Sequence, residues 1–205
     1  MSEANIPDQI CTLRIELRDS KPLIWREVEV PTAITLLMLH KIVQAAMGWD
    51  DSHLWQLTAG GVTYGSRIES LWDEEEQNRD PAKRRLRDVL GPRRTTLEYE
   101  YDFGDSWDHR LIFTKIRAGD PAIDYPRYIG GEQCAPPEDC GGISGFYETL
   151  DVLKNPEHPE HEGMREWYDD YDPDVIDIER ITVHLGVVVR AIKAAKKRQA
   201  KRPKP

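Results

Sequence analysis

The densest run of chemically able side chains is Tyr101-Asp102-Phe103-Gly104-Asp105-Ser106-Trp107-Asp108-His109. Asp102, Asp105, Asp108 and His109 fall within eight residues. Carboxylates gathered at one end of a sheet can hold a hard cation through oxygen, or divide the roles of acid and base. The same residues also make a good turn, since Asp caps turn backbone and Gly tolerates its dihedrals, while Phe103 and Trp107 pack. Strand alternation after the turn would send Asp108 and His109 to opposite faces.

Cys134, Cys140, His158 and His161 form a second set. Two thiols and two imidazoles are the right number and types for tetrahedral zinc. Both spacings depart from the common structural pattern, with His-x-x-His short and five residues between the cysteines. The plainer reading packs the cysteines as small apolar groups and leaves the histidines in an acidic loop. Glu138 and Asp139 precede Gly141-Gly142, where glycines permit close backbone approach or a positive φ. No phosphate-loop pattern and no Gly-x-Ser-x-Gly is present, which argues against nucleotide binding and serine hydrolysis. Trp25, Trp49, Trp55 and Trp107 lie on or beside expected strands, where core packing is their ordinary use and an aromatic groove the rarer one.

These groups must be positioned by recognisable elements. Cys11, Leu13, Ile15 and Leu17 alternate with polar residues, the pattern of a half-buried strand, and Leu23 to Val30 reads as its returning partner. Thr35 can cap a helix with Leu39, Ile42, Val43, Ala46 and Met47 on one face, stopped by Gly48. His53–Thr58 and Val62–Tyr64 flank Ala59-Gly60-Gly61 as a hairpin. The charged stretch Glu69–Arg87 reads as a loop leading into a short helix ended by Gly91-Pro92. Leu97, Tyr99 and Tyr101 form a strand whose partner runs from Trp107 to Ile116. Residues 120–145 are rich in Gly, Pro and acid and read as irregular. Phe146–Leu153 is a short helix, residues 155–163 a polar connection, and Asp177 caps a last helix carrying Ile178, Ile181, Leu185, Val188, Val189 and Ile192. Strands joined by hairpins, with helices partly segregated, predict a single α+β domain: an antiparallel or mixed sheet with helices packed on it. The expected layout is a flexible leader over 1–8, one domain over 9–192 and a basic tail over 193–205.

The chain has 205 residues, with 39% hydrophobic and 32% charged, a balance suited to one globular domain. No apolar run suggests a membrane span, and the N-terminus lacks the pattern of a signal peptide. Three cysteines, an odd number, fit a reducing compartment, so the expected location is the cytoplasm. Charge is uneven. Residues 132–179 hold fifteen acidic residues against Lys154 and Arg165, whereas the chain from Arg190 onward has eight Lys or Arg and no acid. Such a tail can touch nucleic acid weakly, or simply extend a solvated helix end.

Three segments together resemble the plasmid pRiA4b ORF-3-like family. They are Ile24-Trp25-Arg26 with Gln44 to Leu54; Tyr101 to His109; and Pro136 to Gly142 with Gly145-Phe146-Tyr147, Asn155-Pro156 and His158-Pro159-Glu160-His161. The resemblance spans about Thr12 to Leu185. It implies an α+β domain met on plasmids and mobile elements, without an established activity. A resolvase label carried by some members finds no support, because neither a serine nor a tyrosine recombinase set can be assembled here.

No nucleophile and base pair is recognisable, so the leading expectation is a non-catalytic binding or accessory module for a protein or small ligand, with a link to mobile-element biology. The alternative is a metal-dependent hydrolase or nuclease using the acidic motifs at 101–109 and 130–161, with zinc or another divalent metal as cofactor.

Overall fold

The computed structural model describes residues 9–66, 79–91, 95–168 and 171–200. Strand β1 (Gln9–Leu17) returns as β2 (Trp25–Pro31), with Leu13 opposite Val28. The alternation read from the sequence sends Leu13, Ile15 and Leu17 into the core. Helix α1 (Leu36–Met47) starts where Thr35 accepts a hydrogen bond from the Met38 amide, and ends at Gly48 with φ of 80°. A hairpin of β3 (Trp55–Ala59) and β4 (Val62–Gly65) follows, then the short α2 (Leu86–Val89). Strands β5 (Thr96–Tyr101) and β6 (Trp107–Ala118) pair around the acidic turn, with Tyr101 opposite Trp107.

Strand β7 (Arg127–Glu132) pairs with β2, and helices α3 (Gly142–Lys154), α4 (His161–Trp167) and α5 (Ile178–Ala200) complete the chain. The sheet order is β4-β3-β5-β6-β1-β2-β7. Each neighbouring pair is antiparallel, which settles the antiparallel form over the mixed one. Helix α1 packs against α5, whose Ile181, Leu185, Val188 and Ile192 are buried. Toward the other face of the sheet, Glu16 pairs with Arg14 and Arg110, and Glu29 with Arg117 and Arg127.

The structure departs from the sequence reading in the stretch expected to be irregular. Strand β7 lies inside it, hidden by Gly130-Gly131, which carry no strand pattern. Gly131 is needed there: an added Cβ would lie 2.7 Å from the Trp25 carbonyl oxygen and 2.9 Å from Tyr128 Oη. The polar connection at 155–163 gives way to α4. Helix α5 continues through Ala200, so the first eight positions read as a tail are helical. The leader 1–8, residues 201–205 and residues 69–78 of the charged stretch lie outside the described residues. Among the described residues no helix is long and apolar enough to cross a membrane.

Candidate functional site

Three loops meet at the ends of α1, β5 and the strand-to-helix connection before α3. The first leaves α1 through the left-handed Gly48 and buries Trp49, whose indole Nε1 donates to the Pro136 carbonyl at 2.8 Å. Asp51 then adopts φ of 61°, and the chain reaches His53 just before β3. The second is the acidic turn. Asp102 stands at its start with φ of 57°; its Oδ1 accepts from the amides of Gly104 (2.9 Å) and Asp105 (3.4 Å). The capping role expected of an Asp at a turn is therefore present.

The third loop carries Glu138 and Asp139. Gly141 donates its amide to Asp105 Oδ2 at 3.2 Å, tying this loop to the acidic turn. Gly142 sits at the tightest point of that approach: a Cβ there would collide with the Asp105 carbonyl, and its φ of 68° suits glycine. Two motifs more than thirty residues apart in sequence thus converge because glycines remove the atoms that would separate them.

At the convergence, His53 Nδ1 is 3.6 Å from Asp102 Oδ2 and His53 Nε2 is 3.1 Å from Asp139 Oδ1. One ligand atom from each of the three residues lies within 4.8 Å of the others, the arrangement that can hold a metal ion. Among the described residues it is the only such group. His53 Nε2 is shielded from solvent, and despite the nearby Asp139 it has no hydrogen-bond partner. Behind the trio, Tyr101 Oη donates to Glu138 Oε1 and accepts from the amides of Ser52 (3.0 Å) and His53 (3.3 Å). Glu138 Oε2 accepts from the Asp50 amide at 2.8 Å. Burial, reinforced by the Glu138 carboxylate, pushes the Tyr101 phenol up to about 12, so it serves as a neutral donor. Non-glycine residues with positive φ number seven among the described residues, and Asp51, Asp102, Ser106 and Asp139 of these sit here. Such backbone is often held at working sites.

The pattern that defines the family described as plasmid pRiA4b ORF-3-like protein matches residues 9–180. The chain belongs to this family. Family resemblance extends to an uncharacterized protein, y4hQ, of Sinorhizobium fredii (strain NBRC 101917 / NGR234), 34% identical over 171 residues, covering 80% of this chain and 84% of that one. The crystal structure of a protein of unknown function, MM3350 from Methanosarcina mazei Go1, has the same fold with a TM-score of 0.74. It is 34% identical and covers 84% of this chain and 97% of its own.

The remaining expected residues of this family member divide clearly. Asp105 joins the site through Gly141. Asp108 is exposed and His109 is buried, on opposite faces as strand alternation predicts, and neither belongs to the trio. His109 packs edge-on to Trp49 and Tyr99, and its Nδ1 bonds to the Trp107 carbonyl at 2.8 Å. Trp107 is core. Cys134, Cys140, His158 and His161 do not gather into one group. The physical reason is α3, whose thirteen residues carry the chain roughly 20 Å between Cys140 and the histidines. His161 Nδ1 bonds to the Val152 carbonyl at the end of α3, and His158 Nδ1 accepts from the Glu160 amide. Burial, then the Asp105 carboxylate, pushes the Cys140 thiol up to about 12. His53 was absent from the sequence candidates. Its signal, a His next to Asp50-Asp51-Ser52 beyond a helix stop, lay inside a family motif with nothing local to mark it as a ligand.

Proposed function

We propose that the protein is a binding module built around a divalent-cation centre at His53, Asp102 and Asp139. The observation that supports this reading is the convergence of one imidazole and two carboxylates, from three separate segments, around an imidazole nitrogen without a hydrogen-bond partner. A mixed nitrogen and oxygen set suits manganese or zinc, with magnesium held more weakly. Three protein ligands leave positions open, and through these the ion would grip an oxygen-bearing ligand. The family's plasmid association is the reason to look for that ligand in mobile-element biology.

Asp139 provides the clean test, because its side chain is 74% exposed and little of the fold depends on it. The Asp139→Asn protein should bind manganese at least about tenfold more weakly in titration calorimetry, the scale of one lost charge-assisted contact. Its stability should stay within about 0.5 kcal/mol of the parent. Unchanged manganese affinity in that protein would remove the centre.

A second reading, metal-dependent hydrolysis, is favoured by one feature. Glu138 precedes Asp139 and is held by Tyr101, Ser52 and the Asp50 amide, so a fixed carboxylate adjoins one of the proposed ligands. A divalent ion held by His53, Asp102 and Asp139 would supply Lewis-acid chemistry, and Glu138 would be the general base on this chain. Turnover of a generic phosphodiester or ester by the manganese-loaded protein, lost in Glu138→Gln with metal binding retained, distinguishes this reading from binding alone.

A further inference from the structure

A cavity of about 1020 Å³ opens between the end of α1, the 134–138 loop, residues 171–177 and the first turn of α5. Its walls are mixed, with an apolar part formed by Met47, Trp49, Pro136, Val175, Ile176 and Ile181. This size and lining are those of a pocket for a small organic molecule.

Arg26 lines the same cavity and is 1% exposed. Its Nη1 donates to the carbonyls of Trp25 (2.8 Å), Glu132 (3.1 Å) and Gln133 (2.7 Å), while its Nε has no partner. Among the described residues no carboxylate forms an ion pair with it. The acidic groups nearest in effect are Tyr128, Cys134 and Tyr171, and burial raises all three toward their neutral forms. A guanidinium stays charged even when desolvated, and a buried charge is costly without a counter-charge. Carbonyl dipoles offset part of that cost and leave the charge itself unbalanced.

The rest of the lining has the opposite sign. Asp50, Glu138, Asp172, Asp177 and Glu179 surround the cavity, and its second arginine, Arg180, is paired with Asp50 at 3.4 Å. A phosphate or nucleotide would bring two or more negative charges against these carboxylates. A single negative charge on an apolar body would find Arg26 and Tyr171 for its charge and Trp49, Ile176 and Ile181 for its body.

We infer that this cavity is a binding site for a small monocarboxylate with an aliphatic or aromatic body, its carboxylate neutralising Arg26. The site is separate from the cation centre and does not depend on it, although Glu138 lines the cavity and the next residue, Asp139, is a proposed ligand to the ion. Binding is therefore tested in chelator.

The experiment is calorimetric titration of the full chain, in excess chelator, with hydrocinnamate and octanoate as probes. Hydrocinnamide, the neutral analogue, and inorganic phosphate serve as comparisons. The expected result is saturable binding of one or both carboxylates at one per chain, weaker by about tenfold or more for the amide, as loss of a charge-assisted hydrogen bond requires. Phosphate should not bind. Arg26→Gln should abolish carboxylate binding, but Arg26 also fastens the Glu132–Gln133 backbone, so that variant can fail to fold. Val175→Trp is the second variant: Val175 is 59% exposed and lines the cavity, so the indole should block entry without unfolding the protein. No saturable binding of either carboxylate at millimolar concentration overturns the inference. Equal affinity for acid and amide, tighter binding of phosphate, or full binding in Val175→Trp does the same.

Discussion

Asp102 shows how a single side chain can satisfy both readings of the acidic motif. One oxygen caps the turn at Gly104 and Asp105, and the other faces His53. Asn in its place keeps a cap acceptor and loses the charge. Asp102→Asn should therefore weaken manganese binding about tenfold or more with little change in the urea midpoint, whereas Asp102→Ala should also lose roughly 1–2 kcal/mol of stability. A midpoint equally lowered in both proteins would mean the charge, not the cap, holds the turn. Gly142 tests the meeting of the loops. Gly142→Ala forces a Cβ against the Asp105 carbonyl in a left-handed conformation, at a cost of about 1–3 kcal/mol. If the site depends on that approach, manganese affinity falls in the same variant; retained affinity would show the loops are held together elsewhere.

At the scale of elements, α1 and β5 hold the His53 loop through a buried polar chain. His40, fully buried, stacks on Trp55 at 4.0 Å between ring centres, with the rings 5° from parallel. Burial, then the neighbouring Lys41, pushes its imidazole down to about 3, so it is neutral. One tautomer satisfies every bond. Nε2–H donates to Asp51 Oδ1 at 2.6 Å, while Nδ1 accepts from Tyr99 Oη at 2.8 Å. The Tyr99 oxygen in turn accepts from Gln44 Nε2 at 2.9 Å. Lys41 also pairs with the other oxygen of Asp51, offsetting that carboxylate's pull toward an imidazolium. Tyr99→Phe would leave an imidazole acceptor and an amide donor buried without partners, and should cost about 2–4 kcal/mol in urea unfolding. A loss below about 1 kcal/mol would indicate that water replaces the hydroxyl.

For the molecule as a whole, the buried histidines set a pH dependence of stability. His109 is also pushed down, to about 4, mainly by burial, against an ordinary value of 6.5. As pH falls from 6.5 toward 4, the unfolded chain takes up a proton at each of His40 and His109 that the folded chain refuses. Stability is therefore complete above about pH 6.5 for these groups and declines below it, by about 1.4 kcal/mol per pH unit for each ring. Burial raises Glu16 and Glu29, but their arginine partners outweigh it and hold both below 4.5, so their contribution is lost only at lower pH. Urea midpoints at pH 7, 6 and 5 should fall over the last step. A flat profile would mean that both rings charge in the folded state. Most of this architecture is legible in the chain. The β1–β2 alternation, the Thr35 cap, the Gly48 stop, the Gly60-Gly61 hairpin, the turn at 102–106 and the apolar stripe of α5 are local patterns, written within a few residues of each other. Strand β7 is not, because its identity comes from pairing with β2 across a hundred residues and its glycines carry no period. The site was half legible: Asp102, Asp105, Glu138 and Asp139 stand out by type, but their convergence does not. His53, Arg26 and the cavity could not be read, since a ligand or an unbalanced charge is defined by what lies across the fold from it. The sequence by itself determined most of the elements and the supply of chemical groups, because both follow from neighbours along the chain. Only the tertiary structure decided which groups meet, because glycine-permitted loop contacts and the burial of charge depend on distances between residues that the chain order does not encode.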